Sequence, residues 1–167
     1  MRRHIKTFTA RHEPGGQFRS HLKSGSGAIV GMSLVGGLAS LTGLPLLIAP
    51  LGATAVLLFG QPNSPLAQPM NIFAGYLVAS LIGAAAALVF PGLWVAAAIA
   101  VGVSIALMLI LRVTHPPAGA IPLVAIASPY QGSTLFVVVL VGCVALVALA
   151  LVHHWIPPRI EYPRRVG

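Results

Sequence analysis

Between Ser24 and Pro158 the chain runs for 135 residues with a single permanently charged side chain, Arg112. A soluble fold of that size needs charge to cover its surface, so the stretch is read as membrane-embedded. The full sequence of 167 residues agrees, with 57% hydrophobic and 7% charged residues, against roughly 25% charged in an average soluble domain. Mean hydropathy is +0.92. No polar domain interrupts the apolar stretch, so the expected organisation is one membrane domain over 24–158. A basic tail at 1–23 precedes it, and a short basic tail at 159–167 follows.

The ten basic residues divide into six before Ser24, three after Pro158, and Arg112. They flank apolar segments and form no patch with interleaved aromatics, which argues against nucleic acid as a partner. The positive-inside rule places both tails on the same face and requires an even number of crossings. The expected setting is a bacterial inner membrane, or the plastid inner envelope in a eukaryote, with the lipid bilayer as first partner. The polar stretch from Met1 to Lys23 reads as an anchoring tail rather than a cleaved signal. Cys143 is the one cysteine, so neither a disulfide framework nor a thiolate metal site is expected.

The predicted fold is all-α, a polytopic helical membrane protein. Four segments reach the roughly 20 residues that a span needs: Gly27 to Leu47, Met70 to Phe90, Leu93 to Arg112 and Ser133 to Trp155. Two short apolar elements, Pro50 to Gly60 and Pro117 to Ser128, each open with proline and glycine and stop at another proline. Pro50, Gly52, Ala53, Pro62 and Gly75 fall on Pro117, Gly119, Ala120, Pro129 and Gly142 at a shift of 67 (from 50 to 117). The pattern is two repeats of helix, half-helix, helix. If the half-helices re-enter, there are four crossings and parallel repeats; if they cross, there are six and inverted repeats. Small residues at helical spacing (Gly27 and Gly31; Gly75, Ala79, Gly83 and Ala87; Ala98, Gly102 and Ala106) predict close helix packing.

The chemistry concentrates where the apolar sequence breaks. Arg112, Thr114 and His115 precede Pro116 and Pro117, whose rings start a new helix. The N–H groups of Ala118, Gly119 and Ala120 then become candidate anion donors, and the same reasoning applies to Gly52, Ala53 and Thr54 after Pro50. Arg112 reads either as a headgroup anchor or as a pathway cation. His115 is the one histidine in the apolar interior before the closing pair, and any imidazole proton coupling there must use it. His153 and His154 are adjacent and point about 100° apart, which suits an interfacial role and not chelation. The amides and hydroxyl of Gln61, Asn63, Ser64 and Gln68 either strip water from an ion or satisfy their own turn. No carboxylate lies between Glu13 and Glu161, which argues against cation coordination, carboxylate proton relays and acid–base catalysis by a carboxylate pair; no metal or cofactor is expected.

THPPAGA at Thr114 to Ala120, together with SPLAQP at Ser64 to Pro69, resembles the HPP family of small integral membrane proteins. The resemblance implies four membrane-spanning segments and, through plastid and cyanobacterial relatives, an association with nitrite transport. Some relatives carry a C-terminal CBS pair, for which this sequence is too short. The family pattern often has histidine after the glycine matched by Gly75, where this chain has Tyr76. The expected function is a transporter or channel for a small inorganic anion, nitrite or nitrate, formed by a homo-oligomer. The alternatives are a non-transporting assembly or regulatory subunit, and an enzyme using His115 as a base; a lone histidine without a nucleophile or carboxylate argues against the enzyme.

Overall fold

A computed structural model describes residues 7, 9, 10, 15–127 and 132–164, and among them the protein is all-α, with six α-helices and no strand. Three helices are long and apolar enough to cross a membrane: α1 (Phe18–Thr42), α3 (Pro69–Val89) and α6 (Ser133–Trp155). Helix α4 (Trp94–Ile110), at the predicted Leu93 to Arg112 segment, has 17 residues, about 25 Å of helix and the lower limit of a span. Helix α1 starts at Phe18, inside the predicted tail, and stops where Gly43 takes a φ of 71° and returns its N–H to the Ala39 carbonyl. Only glycine enters that left-handed conformation without steric cost.

Both short elements are present. Helix α2 (Ala49–Ala55) carries Pro50 in its first turn and continues as a π turn over Val56–Gly60. A 3-10 turn over Pro116–Ala120 leads into α5 (Ile121–Ala127). Ser128 and Pro129, the predicted end of the second element, lie outside the described residues.

The Lys23 ammonium donates to the carbonyls of Ile156 and Pro158 at 2.6 and 2.7 Å. The start of α1 and the end of α6 therefore share one end of the bundle. From the far end of α1, the non-helical residues Leu44 to Ile48, tightened by hydrogen bonds from the Leu46 and Ile48 N–H groups to the carbonyls two residues back, descend beside Gly36 and Ala39. Leu51 then meets Gly142 in the middle of α6, and the Leu58 carbonyl meets His154 at its end. Along α6 that is a run of about 18 Å toward the tail end. The second element runs the other way. His115 lies against Gly75, and Pro122 and Ala125 lie against Gly83, about 12 Å farther up α3. The two short elements thus traverse the bundle in opposite directions.

Glycine permits these contacts. A methyl at Gly75 would sit 2.9 Å from the His115 Cβ and 3.0 Å from the Val113 carbonyl oxygen; one at Gly142 would collide with the Leu51 side chain. Gly75 and Gly142 are 67 apart (75 to 142), and each meets the start of the other half's short element. Gly27 and Gly31 take the Phe59 ring in the same way. The third stripe does not pack as predicted. Ala98, Gly102 and Ala106 are exposed, and α4 instead buries Ala97, Ala100, Ser104 and Met108. Spacing alone does not reveal which face of an all-apolar helix meets its neighbours.

Candidate functional site

Three segments bring one polar side chain each to a fully buried point. Thr54 comes from the end of α2, Tyr76 from α3 and His115 from the residue before Pro116. The Thr54 Oγ1 lies 2.8 Å from the Tyr76 hydroxyl, 2.9 Å from His115 Nε2 and 3.1 Å from the Pro50 carbonyl. On the other side of the ring, Nδ1 is 2.8 Å from the Leu66 carbonyl. A carbonyl only accepts, so Nδ1 carries a proton and donates. Proline explains the placement of the ring. The residue before a proline is driven to extended backbone, and His115 adopts φ −134°, ψ 100°, turning its side chain off the helix path.

Beside this cluster the two short elements form an open cleft of about 520 Å³, lined by Ala49, Pro50, Ala53, Pro116, Pro117 and Ala120 among others. Pro50 and Pro117, and Ala53 and Ala120, are positions 67 apart (50 to 117, 53 to 120). The repeat detected in the sequence therefore meets itself across the cleft. A methyl added at Gly52 would meet no atom within 4 Å, and one at Gly119 would meet only the Ile105 Cγ1 at 3.9 Å. Both glycines keep space open.

The predicted site residues separate into groups. Thr54 and His115 come together, and Ala53 and Ala120 line the cleft, whereas Gly52 and Gly119 are not among its lining residues. The Ala118 N–H, predicted to be free, donates to the His115 carbonyl at 3.0 Å, because the element starts as a 3-10 turn. Thr114 is spent on the backbone: its hydroxyl donates to the Met108 carbonyl and its carbonyl accepts from Asn71. Arg112 is exposed and is not among the residues lining the cleft. Its φ of 59° is the one left-handed value at a described non-glycine residue. It closes α4 as glycine usually does, with its own N–H on Leu109 and the Val113 N–H on Met108.

The Gln61 to Gln68 loop lies at the tail end. Gln68 donates to the Pro62 and Ser64 carbonyls at 2.9 Å and accepts from the Arg164 N–H, while Ser64 accepts from the Leu66 N–H. Ser64 and Gln68 therefore serve the turn. Gln61, Asn63 and Ser64 also line a basin of about 700 Å³ with Ser20, His21 and Ser24 of α1. The tail crosses this loop, with the Tyr162 hydroxyl on the Ala67 carbonyl at 2.9 Å. Burial pushes the Tyr162 phenol up, which keeps it a donor. His154 lies in the last turn of α6, beside Trp155. It is buried, with Nε2 donating to the Leu58 carbonyl at 2.8 Å, and Leu58 lies in the π turn.

Tyr76 escaped the sequence reading as a site residue. Its signal is faint: a lone tyrosine in the small-residue stripe of α3, one position after Gly75, which is the glycine that lets His115 approach.

The profile of the HPP transmembrane region matches residues 13–163. The chain belongs to the HPP family. It is 35% identical over 128 residues to a transmembrane protein of Dictyostelium discoideum, covering 72% of this chain and 45% of that protein. A second Dictyostelium transmembrane protein is 35% identical over 125 residues, covering 70% of this chain and 40% of its own length. The chain thus spans less than half the length of these curated relatives. No solved structure matches it. In this HPP protein the eponymous triplet has a physical division of labour: Pro116 and Pro117 start the second short element, and the restriction they impose sets the His115 ring against Thr54 and Leu66.

Proposed function

We propose that this HPP protein conducts or transports a small inorganic anion, nitrite or nitrate, through the cleft between its short elements. The observation that carries the reading is the buried Thr54, Tyr76 and His115 cluster directly behind a cleft lined by repeat-related residues. Ligand sites at the junction of two inverted repeats are a recurring design of membrane transporters. On this reading α1, α3, α4 and α6 are full spans. The short elements, traversing in opposite directions, make six passes in two inverted repeats. Arg112 then lies toward the end that holds both tails, where its charge draws anions to the entrance. The protein does no covalent chemistry. A second copy of the chain covers the weakly buried α1.

The test is uptake of nitrate or nitrite into proteoliposomes. The reading expects uptake above that of protein-free vesicles, lowered several-fold in Arg112→Gln and in His115→Gln, with each variant eluting as the parent does in size exclusion. Uptake equal to that of protein-free vesicles would overturn it and leave an assembly role.

A further inference from the structure

The cleft walls are alanine, proline, valine and leucine, and Arg112 is not among them. An anion there has no permanent counter-charge, and an unpaired charge in apolar surroundings is strongly disfavoured. A transient cation one layer behind the wall resolves this. We propose that His115 supplies it by taking up a proton that travels with the anion, and that the Thr54 hydroxyl is the switch that lets the buried ring exist in both charge states.

Thr54 has one hydroxyl hydrogen and three neighbours: the Tyr76 hydroxyl at 2.8 Å, His115 Nε2 at 2.9 Å and the Pro50 carbonyl at 3.1 Å. With His115 neutral, Nδ1–H donates to Leu66, Nε2 is an acceptor, and Thr54 donates to it while accepting from Tyr76. With His115 protonated, Nε2–H donates to Thr54, Tyr76 still donates to Thr54, and the Thr54 hydrogen turns to the Pro50 carbonyl. Every polar atom of Thr54, and both ring nitrogens, are satisfied in each state. The change between them is one added proton at Nε2 and one rotation of a hydroxyl. A buried histidine held only by fixed donors or only by fixed acceptors would be locked in one state.

The proton comes from water. Tyr76 lines a crevice of about 130 Å³ between α3 and α6, together with Ser80 and Cys143. The Ser80 hydroxyl, one helical turn from Tyr76, is 1% exposed and has no hydrogen-bond partner among the described residues. Water held there satisfies Ser80 and passes a proton by way of Tyr76 and Thr54 to Nε2. Each hydroxyl gives up its own hydrogen as it receives the next, so none is consumed. The titratable groups facing His115 are Tyr76 of α3 on the ring and the Cys143 thiol of α6 beyond it. No carboxylate lies between Glu13 and Glu161 to hold the proton instead. The imidazolium and the anion together are neutral, so the transported unit is one proton with one anion.

This inference rests on the anion-transport reading, and two measurements separate their failures. In proteoliposomes holding a pH dye, with the membrane potential clamped by potassium and valinomycin, a nitrate gradient is imposed. Nitrate and protons should enter one for one, and the rate should be insensitive to the clamped potential. Thr54→Ser should keep the coupling; Thr54→Val should lose tenfold or more of the proton flux. Potential-driven nitrate entry without protons would overturn the proton-coupled reading and leave the anion pathway standing. The second measurement needs no flux. In nanodisc-embedded protein with 15N-labelled histidine, the His115 resonances should show a protonated fraction at pH 5.5 that rises several-fold with saturating nitrate, in the parent and in Thr54→Ser but not in Thr54→Val. A His115 ring that stays neutral at pH 5.5 with nitrate present refutes the proposal, whatever the vesicles show.

Discussion

Alanine at Gly75 tests how the two halves lock together. The added methyl would stand 2.9 Å from the His115 Cβ, 3.0 Å from the Val113 carbonyl oxygen and 3.3 Å from the Met108 sulfur. The methionine can swing away. The other two atoms are backbone or fixed to it, so α3 must move or the start of the second short element must shift. Overpacking of this kind costs about 1–3 kcal/mol. Alanine also returns about 1 kcal/mol of helix propensity over glycine, and a control removes that contribution. Gly102, in the interior of α4, has nothing within 4 Å of its own methyl position, so Gly102→Ala takes the propensity gain alone. The gap between the two variants is therefore the steric cost, about 2 kcal/mol, or about 6 °C in Tm for a chain of this length. Cys143 is buried and is the one cysteine in the sequence, so a thiol-reactive fluorophore reports unfolding directly in detergent. Gly75→Ala should melt about 6 °C below Gly102→Ala. Equal melting temperatures would mean that the close approach of α3 to His115 does not exist in the protein.

Three other perturbations probe separate contacts. His154→Phe removes the donor to the Leu58 carbonyl and leaves that carbonyl buried in the π turn; it should cost about 1–3 kcal/mol in the same melting assay, whereas a surface histidine would cost almost nothing. Tyr162→Phe breaks the tail contact to Ala67, with an expected loss of about 1 kcal/mol and faster amide exchange confined to the Gln61 to Gln68 loop. Because burial raises the Tyr162 phenol, that contact should persist below the ordinary phenol range and weaken only above about pH 10, where the unfolded side chain ionises first. Arg112→Gly relieves the left-handed strain at φ 59° and should stabilise the protein by about 1–2 kcal/mol; no gain would show that the arginine side chain makes compensating contacts.

The membrane class, the repeat and the bounds of most elements were legible in the sequence, because they depend on local chemistry; the first span was not, since α1 runs Phe18–Thr42 and not Gly27 to Leu47. A stretch with one fixed charge admits only a bilayer, and proline marks the starts of α2, α3 and the second short element to within a residue. Ser133 to Trp155 was delimited to the residue. The 67-residue offset survived as Gly75 and Gly142 packing against opposite short elements. His115 was singled out for its imidazole and Thr54 only for its backbone N–H after Pro50, not for the hydroxyl that meets His115.

Only the tertiary structure decided what those residues meet. Thr54 is separated from Tyr76 and His115 by 22 and 61 positions, and nothing in the local pattern says that three segments will bring their polar atoms into one hydrogen-bonded cluster. The passage of the short elements through the bundle was likewise undetermined, since a short apolar stretch can re-enter or continue with the same composition. Its direction follows from where Leu51, His115 and Pro122 find glycines on α3 and α6, and where the Leu58 carbonyl finds His154. In an almost uniformly apolar chain, hydrophobicity places every helix in the bilayer but distinguishes none of its faces. Glycines that admit a neighbour, and buried polar atoms that must find a mate, therefore choose the arrangement.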